Sequence, residues 1–185
     1  MSAITLAELR QFPVFRGCST EELQRLADCM TRCHLGRSNT LLFEDQVDSD
    51  AAYIVQRGTL VAELPLESGI AVEMARMGPG AVVGELCLIR GGPRSLRVRS
   101  TEVTDLIRID RESFMALRKA QDIAAYTVIR NICLTMCDRL RNTNEFIERE
   151  LRHEAPLAAD ITSIQKESVA ERARAYLSRL FGRDS

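Results

Sequence analysis

The sequence contains no uninterrupted apolar run approaching the ~18 residues that cross a bilayer. No membrane-spanning helix is therefore expected. Its start, Met1-Ser2-Ala3-Ile4-Thr5-Leu6-Ala7-Glu8, has no basic stretch followed by an apolar one, which excludes the pattern of a secretory signal. A cytoplasmic location is the resulting expectation. Charge imbalance is missing too: 25 Lys and Arg stand against 26 Asp and Glu, for a formal net charge of -1. So balanced a chain has no global attraction to nucleic acid or to an anionic membrane. There is no Ser/His/Asp arrangement, no H-x-x-E-type metal signature and no Walker-type loop. The chain is expected to bind rather than to catalyse.

Imidazole is scarce, with only His34 and His153, and no C-x-x-C pair occurs. The usual zinc patterns are thereby excluded. Six cysteines are nevertheless present, at 18, 29, 33, 87, 133 and 137. Cys29/Cys33 and Cys133/Cys137 are each spaced four apart, which on a helix puts both thiols on one face. Two readings follow. Free cysteine is a small hydrophobe that fills buried helix faces, and this is the reading preferred in a reducing compartment. Soft thiolate ligands for a metal or iron–sulfur group, or a redox sensor, form the other.

What is there divides by period. Ser19-Thr20-Glu21-Glu22 has the form of a capping box, and Leu23, Leu26, Ala27 and Met30 follow at helical spacing. From about residue 34 short apolar runs alternate with turn residues. The runs are 41–43, 51–55, 59–64, 70–77, 81–83, 95–100 and 105–109. Between them stand Asp48-Ser49-Asp50, Arg57-Gly58, Ser68-Gly69, Gly78-Pro79-Gly80 and Gly91-Gly92-Pro93. Such spacing predicts one all-β barrel or jelly-roll-like unit of about 75 residues. Helical periodicity returns after Asp110, a candidate N-cap, and a long pattern covers 123–151 with Ile129, Ile132, Met136, Leu140 and Ile147 on one stripe. A helix of that length outgrows a small domain, so a homodimer through 123–151 is expected. After Pro156 a further helix is expected over 161–181. The tail is shorter than the ~40 residues that fold alone, and so is expected to dock or to bind a protein partner.

The chemistry concentrates in Gly80-Ala81-Val82-Val83-Gly84-Glu85-Leu86-Cys87-Leu88-Ile89-Arg90-Gly91-Gly92-Pro93-Arg94-Ser95. Gly84 permits close backbone approach to a ligand. A helical turn at 85–88 would aim N–H groups at an anion. Arg94 offers a planar charged fork for phosphate oxygens, and Glu85 an acceptor suited to ribose hydroxyls. Phosphate and sugar together describe a nucleotide.

In order and spacing this string closely resembles the phosphate-binding cassette of the cyclic-nucleotide-binding domain family, which also underlies catabolite-activator-type regulators. Ala52–Leu60, Met77-Gly78-Pro79-Gly80 and Thr104–Arg111 resemble the family's strand–turn–strand entry, the turn before the cassette and its closing strand. The resemblance covers roughly residues 12–151. It implies a mainly β fold with flanking helices (α+β), a double-stranded β-helix or jelly-roll-like β-roll followed by a long C-terminal helix. Its expected segments are an N-terminal helical part (1–33), the β-roll (34–110), C-terminal helices (111–154) and a helical tail (155–185).

The resemblance also implies the site. Glu85 would accept from the ribose 2′-hydroxyl, and Arg94 would neutralise the cyclic phosphate. Ser95 and the backbone of Leu86 and Cys87 would add hydrogen bonds beside Gly84. Arg139 would approach Glu85, Thr143 would meet the adenine amino group, and Asn144 would reach the base from a neighbouring subunit. Glu85, Arg94 and Thr143 together favour cAMP. Leu96 departs from the small or hydroxylated residue usual after the Arg-Ser pair and implies a crowded phosphate site. Arg90 and Arg97 add positive charge, which suits a more anionic ligand such as cyclic di-GMP or else forms only a solvated rim; cGMP also stays open as a ligand. The winged helix-turn-helix of the catabolite-activator type is not present in 155–185, so direct DNA binding is not expected. A stand-alone cyclic-nucleotide sensor is the leading expectation. A ligand-free dimeric scaffold or a sensor using Cys29, Cys33, Cys133 and Cys137 are the alternatives.

Overall fold

The computed structural model describes residues 3–44, 50–66 and 71–154. The predicted turns around 48–49 and 68–69 and the whole tail, including its helix over 161–181, lie outside them. Contacts divide the chain into two compact units, 1–136 and 137–185.

The first unit opens with a short helix α1 (Leu6–Leu9), a 3-10 turn (Pro13–Phe15) and helix α2 (Thr20–Ala27). The Glu22 N–H donates to Ser19 Oγ at 3.2 Å and the Ser19 N–H to the Glu22 carboxylate at 2.7 Å, so the predicted capping box forms. The helix ends earlier than its apolar spacing suggests. Asp28 is its C-cap, and Met30–Leu35 is strand β1, paired along its length with strand β8 (Thr104–Asp110). Met30 therefore belongs to a sheet, not to the helix stripe, and Cys29 and Cys33 do not share a helical face. Main-chain pairing with Ile109 and its neighbours overrides a periodicity that α2 could have continued.

Strands β2 (Leu41–Phe43), β3 (Ala51–Arg57), β4 (Leu60–Pro65), β5 (Ala71–Met77), β6 (Val82–Val83), β7 (Arg97–Ser100) and β8 make two antiparallel sheets with β1. Their orders are β1-β8-β3-β6 and β2-β7-β4-β5. The fold is a β-roll of two antiparallel sheets with flanking helices. The first sheet is buried on both faces, which explains why 51–55 reads as a continuous apolar run. Ala52, Ile54, Ile107 and Ile109 face one cluster, shared with α1, α2 and Phe114. Val55 and Leu106 face the other, where Leu60, Ala62 and Val98 of the second sheet close the roll.

Asp110 caps helix α4 (Arg111–Lys119), accepting from the Ser113 N–H at 2.9 Å. Helix α5 (Ile123–Glu154) then runs for 32 residues. Its first turns bury Ala124, Ala125, Val128 and Ile132 against the first cluster. Phe114, fully buried, and the cassette residues Cys87 and Leu88 sit in that same cluster.

An ion pair ties the N-terminal helix to the roll. Glu8 accepts from Arg32 Nη2 at 2.8 Å and from Gln56 Nε2 at 2.9 Å. Arg32 first, then the Thr5 N–H and hydroxyl, hold the carboxyl down from 4.5 to about 2. A depressed carboxyl stabilises the fold fully above its unfolded value and loses that contribution as the pH falls through its folded one. Glu8→Gln is accordingly expected to lower urea stability near pH 7, with the gap from wild type closing as the pH approaches about 2.

Candidate functional site

Strand β6 delivers the chain to Gly84, whose φ of +69° lies in the left-handed region. A single turn of helix follows, α3 (Leu86–Ile89), with Glu85 at its N-cap. The Cys87 and Leu88 N–H groups already turn back to the carbonyls of Gly84 and Glu85. Leu86 opens the turn, and the first N–H groups of a helix have no partner inside it. Cys87 and Leu88 bury their side chains below, at 2% and 0% exposure, so the backbone end rather than the side chains of α3 faces the site. Burial pushes the Cys87 thiol up, which leaves it a neutral packing group.

Arg94 lies beneath this turn at only 5% exposure. Its Nη1 donates to Gly84 O at 3.1 Å and its Nη2 to Ala51 O at 2.5 Å. The guanidinium carbon sits 4.1 Å from the centre of the Phe43 ring, a cation–π contact. A guanidinium has five N–H donors, so two carbonyls fix the fork in space while donors remain for an anion. A Cβ on Gly84 would overlap Nη1 of Arg94 and lie 3.1 Å from its Cζ, which is why glycine stands there. Asp50 comes within 4.0 Å of Arg94 but is held closer by Arg108, at 3.0 Å. Asp50 thus neutralises Arg94 only in part, and the remaining donors of the buried guanidinium are chemically suited to an anion.

Neither Phe43 nor Ala51 was among the residues singled out from the sequence. Phe43 is 51 residues from Arg94, and Ala51 contributes only a backbone carbonyl, so neither leaves a spacing signal. The Phe43 ring also lies 6.2 Å from that of Tyr53. With Val83, Leu96 and Val98 they line the apolar interior of the roll. Leu96 thus packs inward, two residues beyond Arg94. Arg97 turns the other way and pairs with Glu63 of β4 at 3.2 Å, as Arg99 does through hydrogen bonding at 2.8 Å. One carboxylate thus serves two arginines and holds Arg97 toward β4. Ser95 is exposed.

Residues 34–121 match the family model of the cyclic nucleotide-binding domain. The chain carries a cyclic nucleotide-binding domain. Its fold superposes on the Thermus thermophilus catabolite activator protein with a TM-score of 0.61 at 25% identity, over 74% of this chain and 62% of that one. The regulatory domain of Toxoplasma gondii PKA, solved with cAMP, gives 0.54 at 29% identity, over 60% and 41%. An uncharacterized NTE family protein of Mycobacterium tuberculosis is 33% identical over 122 residues, 66% of this chain and 20% of the relative. The chain thus spans about a fifth of the length of the curated relatives of that group.

In this cyclic nucleotide-binding domain Gly84, Glu85, Leu86, Cys87 and Arg94 come together in the first unit, with Ser95 beside them. Arg139, Thr143 and Asn144 lie on α5 in the second unit. There Thr143 Oγ1 donates to Arg139 O at 2.9 Å, one turn back on its own helix. The cysteines divide by burial. Desolvation raises the Cys18 and Cys29 thiols to about 11, and Cys33 upward as well. These are poor thiolates and poor ligands. Cys133 and Cys137 are exposed. Among the described residues no helix is long and apolar enough to cross a membrane.

Proposed function

We propose that the chain is a cyclic-nucleotide sensor, with cAMP its preferred ligand, that passes the signal through α5 to a second copy or to a partner protein. The observation that carries this reading is the buried Arg94 fork, held by Gly84 O, Ala51 O and the Phe43 ring beside the glycine turn of the cassette. One such fork suits one phosphate. Arg97, the residue nearest Arg94 that could hold a second phosphate, is engaged by Glu63, which favours cAMP or cGMP over cyclic di-GMP. The likeness to a catabolite activator and to a PKA regulatory domain solved with cAMP supports the same choice. The chemistry is binding, not catalysis.

A second copy is favoured by the apolar side chains that α5 leaves exposed in its first turns: Ile123, Tyr126 and Leu134 are 68%, 50% and 58% exposed. Large apolar groups gathered on one helix are a usual mark of an interface. The ligand can shift the state of α5 only by its differential affinity for the two states. Leu96, packed into the roll interior, favours one rival: a scaffold that binds no nucleotide.

Titration calorimetry of the full chain with cAMP, cGMP and cyclic di-GMP decides between them. Micromolar or tighter binding of cAMP, ahead of the other two, is expected. No heat from any of the three would leave the scaffold standing. Sedimentation with and without cAMP tests the second copy, and a monomer in both conditions would remove it.

A further inference from the structure

The single turn α3 is too short to hold itself together, since one helical turn lies below the length at which helices propagate. Its last carbonyls also need partners from outside. All four are accounted for. Leu86 O accepts from the Arg90 N–H at 3.0 Å, the turn's own closing bond. Cys87 O accepts from Arg111 Nε at 3.1 Å. Leu88 O and Ile89 O both accept from Arg118 Nη1, at 2.9 and 2.7 Å. Three of the four carbonyls are therefore held by two arginines of α4, seven residues apart and so on one face of that helix. The chain leaving α3 accommodates them: Gly91 has a φ of +75°, and a Cβ there would come within 2.6 Å of Arg111 Nη2.

Two cations at the carbonyl end of a helical turn complement its dipole, and charged donors make the stronger hydrogen bonds. The opposite, amide end of α3 begins at Leu86, two residues after Gly84, whose carbonyl accepts from Arg94 Nη1 at 3.1 Å. We propose that Arg111 and Arg118 are positioning residues of the nucleotide site, which fix the amide end of α3 for the phosphate by holding its carbonyl end from α4. The proposal rests on the nucleotide reading above. Neither arginine touches the ligand. By linkage, whatever the clamp adds to nucleotide affinity, the nucleotide returns as stability of the clamp. Occupancy of the cassette is thereby registered in α4, the helix that leads into α5.

The test uses the full chain and the variants Arg118→Met, Arg118→Lys and Arg111→Met. Arg25→Met, which breaks the ion pair with Asp122, is the stability control. Amide hydrogen exchange without ligand is read at Leu88 and Arg90, and cAMP affinity by calorimetry. Arg118→Met is expected to speed exchange at both amides and to weaken cAMP about tenfold, the effect of losing charge-assisted bonds. Arg118→Lys recovers part of both, and Arg25→Met lowers the melting temperature without weakening cAMP. In the wild type cAMP slows exchange in α4, an effect Arg118→Met abolishes. Unchanged exchange at Leu88 and Arg90 in both methionine variants overturns the clamp, as does cAMP binding equal to wild type. If the wild type binds no cAMP, the nucleotide reading and the positioning role fall together. The exchange arm needs no ligand, so it still decides whether the two arginines hold α3.

Discussion

Replacing Arg94 by glutamine is expected to weaken cAMP binding by about 100-fold or more. The guanidinium is 5% exposed, so a phosphate that meets it loses little of its electrostatic attraction to solvent. Its orientation is set before any ligand arrives, because Gly84 O, Ala51 O and the Phe43 ring fix the fork from three sides. Glutamine keeps a donor for one carbonyl but removes the charge and the bidentate geometry. Arg94→Lys separates these two contributions. The ammonium keeps the charge while losing the planar fork and its stacking on Phe43, and a loss of about tenfold is expected. Gly84→Ala reaches the same group from the other side, since its Cβ overlaps Nη1. Urea unfolding of each variant separates weakened binding from lost folding. If Arg94→Gln binds cAMP within threefold of wild type while folded, the anion is held elsewhere and the cassette is not the site.

Much of this site was legible because its logic is local. A glycine that must take a positive φ, a turn that presents amides and an arginine ten residues later form one stretch of chain. Residue type alone conveys the first and last of these. Capping at Ser19 and Asp110 is legible for the same reason, since N-cap and N3 are three residues apart. What the sequence hides is whatever is decided across the fold. Met30 continues the helical spacing of Leu23, Leu26 and Ala27, and only its pairing with Ile109, far along the chain, makes it a strand residue. The partners of Arg94 are hidden likewise, two of them being backbone carbonyls that no side chain announces. Arg97 reads as part of a basic hairpin until the strand register sets it opposite Glu63. The clamp of Arg111 and Arg118 on α3 is of this kind as well. Arginines on a helix face look solvated until the carbonyls they cap are located.

Gly58→Ala is expected to destabilise the protein by about 4 kcal/mol or more, a large part of the stability of an ordinary domain. Gly58 joins β3 of the first sheet to β4 of the second, and residues 101–103 return from β7 of the second sheet to β8 of the first. The two crossings touch. The Thr101 N–H donates to Thr59 O at 3.0 Å, and a Cβ on Gly58 would lie 2.6 Å from Val103 O and 2.8 Å from Thr104 Cα. Both obstacles are backbone, and the third, Thr104 Oγ1 at 2.5 Å, belongs to a fully buried residue. Nothing there can step aside without moving β8, which pairs with β1 and β3 at once. The φ of +88° adds the cost of placing an alanine in the left-handed region. Two other glycines separate these contributions. Gly92 has a φ of +103° but open space around it, so Gly92→Ala carries the conformational cost alone, about 1–2 kcal/mol. Gly78 has open space and no positive φ, so Gly78→Ala should change stability by less than about 1 kcal/mol, in either direction. Urea midpoints are expected to fall in the order Gly78, Gly92, Gly58. If Gly58→Ala unfolds no more readily than Gly92→Ala, the two crossings are not packed against each other. The register that brings Phe43 and Ala51 to Arg94 would then have to be fixed by some other contact.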